Sequence, residues 1–141
     1  MTDPITVYYD ASCGLCSAEI EALKSRDAGG RMRLVDCSAA DFVAPEGATR
    51  EALMSRIHAK EASGAWLRGV DVFAAVYEAA GFPRVARLYR SRRLRPLLDR
   101  AYPWIADHRR LLSALGLPRF FHLVRRPGCA ACAAAASKGK V

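Results

Sequence analysis

The chain of 141 residues is long enough for one domain with a hydrophobic core, and its hydrophobic content of 52% excludes a mainly disordered protein. The sequence has no apolar run of the length that a transmembrane helix needs. Its N-terminus lacks the basic start and apolar segment of a secretory signal. We therefore expect a cytoplasmic protein.

Charge is unevenly distributed along the chain. Residues 1–83 carry 8 Lys/Arg and 12 Asp/Glu, a net charge of −4, whereas residues 84–126 carry 12 Arg and 2 Asp, a net charge of +10. The arginines either form solvated helix faces or meet an acidic partner or a membrane surface. Since no nucleic-acid-binding motif accompanies them, nucleic acid is not an expected partner.

The first elements predict a strand, a helix and a second strand. Residues 5–9 are β-branched and aromatic, which favours a buried strand. Residues 13–26 have the spacing of a helix, with Glu19 as a misfit on its apolar face. Residues 32–36 alternate as a second strand. This order is typical of a βαβ unit with parallel strands.

The next segment predicts a short helix, a hairpin and a longer helix. Thr49 is a candidate cap for the short helix. Residues 54–59 and 65–67 favour two strands that turn at Gly64. Residues 71–80 have the pattern of an amphipathic helix. The predicted element order is therefore β-α-β-(α)-β-β-α.

The pattern divides the α/β chain into three parts. Residues 1–82 form the predicted core, and residues 83–118 form an Arg-rich helical extension packed on the same domain. Pro103 is expected to kink or split the long helix of this extension. Residues 119–141 are expected to form a mobile tail.

The pair Cys13 and Cys16 is the strongest candidate site, because this Cys-x-x-Cys lies between a predicted strand and a predicted helix. Unpaired N–H groups and the helix dipole favour a thiolate at a helix N-terminus. A thiolate is the nucleophile in disulfide exchange. We therefore interpret Cys13 as the nucleophile and Cys16 as the resolving thiol. The alternative is a pair of ordinary core cysteines.

Asp10 precedes the dithiol and has two opposed possible effects. A carboxylate beside Cys13 would raise the pKa of that thiol, whereas a partly buried carboxylate could accept the proton of Cys16. The alternative for Asp10 is a residue of the turn at the helix start.

A second Cys-x-x-Cys, Cys129 and Cys132, lies near the C-terminus. It could exchange electrons with the first pair, or complete a four-cysteine zinc site as part of a non-enzymatic binding module. It could also have no role in an Ala-rich tail. The remaining cysteine, Cys37, follows the second strand and is predicted to be a small buried residue.

The string from Tyr8 to Cys16 resembles the signature of the thiol-disulfide oxidoreductase family of the DCC type, within the thioredoxin-like superfamily. Weaker similarity at Val35-Asp36, in the segment around His58, at residues 69–73 and in the region from Tyr102 to His108 and Arg109 extends the resemblance to roughly residues 5–118. It implies a thioredoxin-like fold and thiol–disulfide exchange on protein or small-molecule disulfides, with no cofactor. The sequence differs from thioredoxins in the Gly-Leu dipeptide between the cysteines. It also has no proline within residues 50–60, where thioredoxins place a cis-proline.

Overall fold

The structure, a computed structural model, describes residues 3–124, except for the side chains of residues 122 and 124. No helix in this range is long and apolar enough to cross a bilayer. The elements in chain order are β1 Ile5–Tyr9, α1 Gly14–Lys24, β2 Met32–Asp36, α2 Arg50–Ser55, β3 His58–Glu61, β4 Trp66–Arg68, α3 Val70–Ala79, α4 Pro83–Tyr89, α5 Arg95–Ala114 and α6 Pro118–Val124.

The four strands form one mixed sheet in the order β2-β1-β3-β4. Strand β1 pairs in parallel with β2, as the βαβ interpretation predicted, and antiparallel with β3. Strands β3 and β4 form the hairpin. The mixed α/β class is confirmed, and the element order through α3 is compatible with a thioredoxin-like core.

The first strand of the hairpin begins later than predicted. Met54 and Ser55 were expected in that strand, but they belong to helix α2. Thr49 explains this difference, because its hydroxyl accepts a hydrogen bond from the Ala52 N–H at 3.2 Å and caps the helix. The helix also buries Leu53, which is 1% exposed. Capping and burial together hold the segment in helical form.

The sheet has an apolar cluster on each face. Val7, Ile20 and Val76 join β1, α1 and α3 in the larger cluster. The smaller cluster contains Tyr8, Cys37 and Leu53. Alternating side chains of β1 therefore point to both faces and place the end of this strand at the centre of the fold.

Helix α5 is the longest helix, yet none of its residues 95–114 is buried. The sequence predicted that Pro103 would kink or split this helix. Pro103 lies inside α5, and the helix is not split there. A proline removes one backbone hydrogen bond and its ring crowds the carbonyl four residues earlier, yet the 20-residue helix continues on both sides of it. Residues 119–124 were expected in the tail, but they belong to α6, which packs against α1.

Gly69 allows α5 to approach the start of α3. Its φ of +55° is in the left-handed region, and a Cβ at this position would lie 3.1 Å from Cε1 of Tyr102. The Tyr102 hydroxyl also accepts a hydrogen bond from the Ile57 N–H at 3.0 Å. Tyr102 thus fixes the helical extension to the hairpin and to α3.

Candidate active site

The dithiol lies where the central strand passes into helix α1. Cys13 is the N-cap residue of α1, and Cys16 is in its first turn. The Cys13 N–H donates to the Asp10 carbonyl at 3.2 Å, and the Ala11 N–H donates to Asp36 at 3.1 Å. These bonds tie the loop before Cys13 to the ends of β1 and β2. Both cysteines are free thiols in the structure.

The two thiols have pKa values shifted in opposite directions. The hydrogen bond from the Cys16 thiol is the largest cause that lowers the pKa of Cys13, to about 6. Burial opposes this change, while the first-turn N–H groups of Cys16 and Leu15 and the charge of Arg109 support it. The pKa of Cys16 is raised, because its thiol donates to Cys13 and because it is buried. The two opposed shifts therefore favour the thiolate on Cys13 and the proton on Cys16.

Arg109 is the cation of this site, and it comes from helix α5. Its guanidinium donates to the Met54 carbonyl at 2.8 Å and lies 3.4 Å from the Asp10 carboxylate. Its charge lowers the pKa of both Cys13 and Cys16. The helical extension therefore supplies part of the electrostatics of the dithiol.

Asp10 is buried beside the dithiol, at 4% exposure. Its Oδ1 accepts hydrogen bonds from the Ser12 N–H at 2.9 Å and from the Ser12 hydroxyl, while its Oδ2 faces Arg109. The Asp10 charge also raises the pKa of Cys16, as a smaller cause than the interaction with Cys13 and burial. The structure thus brings together Asp10, Cys13 and Cys16, as the sequence suggested.

Cys13 is shielded from the outer surface, with 4% of its residue area exposed. The end of α5 packs against the next residue, Gly14, where a Cβ would lie 2.6 Å from the Ser113 hydroxyl oxygen. Pro118, at the start of α6, is 4.0 Å from the same position. The corner between α5 and α6 therefore lies against the dithiol loop.

A cavity of about 270 Å³ adjoins the dithiol, and Cys16 lies in its wall. Helices α1, α3, α5 and α6 line most of it with aromatic and aliphatic side chains. Glu19 also faces the cavity, and burial raises its pKa to about 7. The Tyr77 hydroxyl donates a hydrogen bond to Glu19 at 3.1 Å, which opposes part of this increase.

Sequence reasoning assigned no role to Arg109 or Glu19. In the sequence, Glu19 was a misfit on an apolar helix face. A carboxyl at such a position needs an environment that an ordinary packed core does not provide, so this residue was the one sign of the cavity. Only the weak family resemblance of the region from Tyr102 to Arg109 set this arginine apart from the others of α5, and that resemblance assigned it no role. Its role depends on a contact across the fold with Asp10, 99 positions earlier in the chain.

The other candidate residues lie elsewhere. Cys37 is fully buried, and burial raises the pKa of its thiol to about 12, as expected for an inert core cysteine. His58 lies near Trp66, away from the dithiol cavity. Cys129 and Cys132 lie outside the described residues. Among residues 3–124, no group of three or more His, Cys, Asp or Glu side chains is placed to hold a metal ion.

A reduced Cys-x-x-Cys with opposed pKa shifts, at a helix N-terminus beside a mixed sheet, is typical of dithiol redox proteins. The sequence profile of the DCC1-like thiol-disulfide oxidoreductase family matches residues 7–115. The chain belongs to this family.

One curated relative is an Arabidopsis thaliana protein named "Uncharacterized protein At5g50100, chloroplastic". It is 31% identical to the chain over 118 residues, which cover 81% of this chain and 54% of the relative. The chain thus spans about half the length of that protein. No solved structure matches the chain.

Proposed function

We propose that this protein catalyses thiol–disulfide exchange with Cys13 as the nucleophile and Cys16 as the resolving thiol. The observation that carries the proposal is the placement of two free thiols at the start of α1, with Cys13 as its N-cap residue and Cys16 in its first turn. The pKa of Cys13 is lowered and that of Cys16 is raised, which favours a thiolate on Cys13 and a proton on Cys16. The redox chemistry suggested by the family name supports it.

The proposed reaction has two displacements. The Cys13 thiolate attacks a substrate disulfide, forms a mixed disulfide, and releases the first substrate thiolate. Cys16 then loses its proton and attacks the Cys13 sulfur, which releases the second substrate thiolate and leaves a Cys13–Cys16 disulfide. Two electrons pass from the protein to the substrate, and an external dithiol returns them by the reverse exchange.

Redox titration tests the proposal. The full chain is equilibrated in mixtures of reduced and oxidised dithiothreitol, and the remaining thiols are alkylated and counted by mass. We expect a two-electron transition of Cys13 and Cys16, identified by the mass of their peptide, that is lost in Cys13→Ser. Cys37→Ala is the matched control and should keep the transition. A wild-type protein that forms no Cys13–Cys16 disulfide would contradict the proposal.

Asp10 is proposed to accept the proton that Cys16 loses in the second displacement. Its burial and its effect on the pKa of Cys16 support this role. Asp10→Asn should slow the decay of a mixed disulfide between Cys13 and thionitrobenzoate, followed by absorbance. Ser12→Ala removes a hydroxyl donor to Asp10 but keeps the carboxylate, and serves as the comparison. An unchanged decay rate in Asp10→Asn would reject the role.

A relay through Cys129 and Cys132 remains a separate proposal, supported by the spacing of the second pair. If these thiols exchange electrons with the first pair, Cys129→Ser should slow the return of electrons to a Cys13–Cys16 disulfide from the added dithiol. An unchanged rate of reduction in this variant would exclude the relay.

A further inference from the structure

The cavity beside the dithiol is larger than the gaps of an ordinary protein core. Core side chains pack with few voids larger than a water molecule, whereas this cavity measures about 270 Å³. A dry apolar cavity of about 150 Å³ is large enough to bind benzene. The space therefore fits an aromatic ring with a short substituent.

The chemistry of the wall selects an uncharged occupant. Phe73, Leu98 and Tyr102 present apolar surface to the cavity. Among the ionisable groups of the wall, Arg109 pairs with Asp10 and Arg56 with Asp107, while Glu19 has only the hydrogen bond from the Tyr77 hydroxyl. An anion would lose its hydration without gaining a new counter-charge, and a cation would meet only Glu19, whose pKa burial raises to about 7. A neutral apolar group gains from burial.

The cavity also has an apolar entrance. Ile105 of α5 and Leu117, just before α6, both line it and are 42% and 44% exposed. Exposed side chains in a cavity wall mark where it meets the solvent. A small apolar molecule can therefore enter between these two helices, while the corner of α5 and α6 covers Cys13 on the outside.

The cavity reaches the dithiol at Cys16, which lies in its wall, whereas Cys13 does not line it. Cys13 is the N-cap residue of the same helix, three positions before Cys16. We propose that this cavity binds the apolar group of a small, uncharged disulfide substrate. This inference rests on the proposed function and adds the substrate class to it. A space of about 270 Å³ admits a small molecule or one side chain rather than a folded domain.

Two uncharged disulfides test the substrate class. Benzyl 2-hydroxyethyl disulfide carries a ring for the cavity, and bis(2-hydroxyethyl) disulfide lacks it. Each is mixed with reduced full-length protein, and the rate of formation of the Cys13–Cys16 disulfide is measured. We expect the benzyl compound to react faster by about tenfold, which is typical of one apolar group in a matching pocket. Equal rates would overturn the proposal.

Two substitutions in α5 test whether the faster reaction with the benzyl compound depends on the cavity. Ala106 lines the cavity, so Ala106→Leu should fill part of it and reduce the ratio of the two rates. Ala114, on the same helix, is exposed, and Ala114→Leu should keep the wild-type ratio. If Ala106→Leu keeps the full preference, the ring binds elsewhere and the proposal is wrong.

Toluene gives a readout that does not depend on disulfide exchange. It should slow the reaction of the wild type with the benzyl compound. It should also raise the Tm of the wild type and of Ala114→Leu, whereas the Tm of Ala106→Leu should not change. If neither disulfide oxidises the protein while toluene raises the Tm in this pattern, the proposed function fails and the apolar site stands. If toluene leaves the wild-type Tm unchanged, the apolar site itself is rejected.

Discussion

Helices α3 and α5 form two walls of the same cavity, but they are held in different ways. Helix α3 has ten residues and buries five of them, whereas α5 has twenty and buries none. Polar contacts hold α5 instead, through Tyr102 to the Ile57 N–H and through Arg109 to the Met54 carbonyl. Helix α3 is therefore part of the hydrophobic core, whereas residues of α5 can be substituted without disrupting that core.

The largest expected effect comes from Glu19, which faces the cavity from α1 and pairs with Tyr77 of α3. Burial raises its pKa from 4.5 to about 7, so the stability from its neutral form is complete below pH 4.5 and is lost as the pH rises through 7. Glu19→Gln stays neutral. As the pH rises from 4.5 to 8, the free energy of unfolding of the wild type should therefore fall by about 3 kcal/mol relative to that of Glu19→Gln.

Urea denaturation at several pH values measures this difference. Glu51→Gln, at an exposed position of α2, is the control and should follow the wild-type profile. Identical pH profiles for Glu19→Gln and the wild type would mean that Glu19 is charged or solvated in the folded protein.

A core truncation compares the two walls directly. Val76 of α3 is 0% exposed, and Leu111 of α5 is 58% exposed. Val76→Ala should lower the free energy of unfolding by about 2 kcal/mol, because it removes buried methyl groups and leaves a void. Leu111→Ala should change it by less than about 0.5 kcal/mol, although it removes a larger side chain. Similar losses in the two variants would contradict the contrast between the helices.

Tyr102→Phe tests the polar contacts of α5. It removes the oxygen that accepts the Ile57 N–H, so the free energy of unfolding should fall by about 1 kcal/mol. Trp104→Phe, at an exposed position of the same helix, should cause a smaller change, below about 0.5 kcal/mol. Denaturation at fixed pH ranks the two, and a reversed order would show that the hydroxyl does not hold the helix.

The smallest expected effect is electrostatic. Arg109→Gln removes a cation that lowers the pKa of Cys13, so that pKa should rise and the thiolate fraction at pH 6 should fall about threefold. The pH dependence of Cys13 alkylation by iodoacetamide measures this change. Arg110→Gln, one position along and exposed, should leave the profile unchanged. Equal profiles for Arg109→Gln and the wild type would remove Arg109 from the site.

The sequence predicted the parts of the fold that depend on local patterns. Apolar alternation located β1 and β2, and the Cys-x-x-Cys after β1 located the dithiol. The hairpin was also predicted, although its first strand was placed too early. There, the cap formed by Thr49 and the burial of Leu53 favoured a helix over the strand pattern.

The rest of the site depends on contacts between distant residues. Arg109 resembles the other arginines of α5 in the sequence, and only the approach of α5 to the dithiol loop gives it a role. The cavity requires four helices to meet, and no periodicity encodes their spacing. The dithiol could therefore be predicted from spacing, whereas the wall beside it could not.

The close contact of Gly69 with Tyr102 has a consequence for related sequences. A methyl group at position 69 would meet the ring at 3.1 Å and would also strain a backbone with φ of +55°. A relative with a larger residue at position 69 would therefore need a smaller one at position 102, or a wider separation of α3 and α5. Substitutions at these two positions should thus co-vary across the family, and the width of the cavity should vary with them.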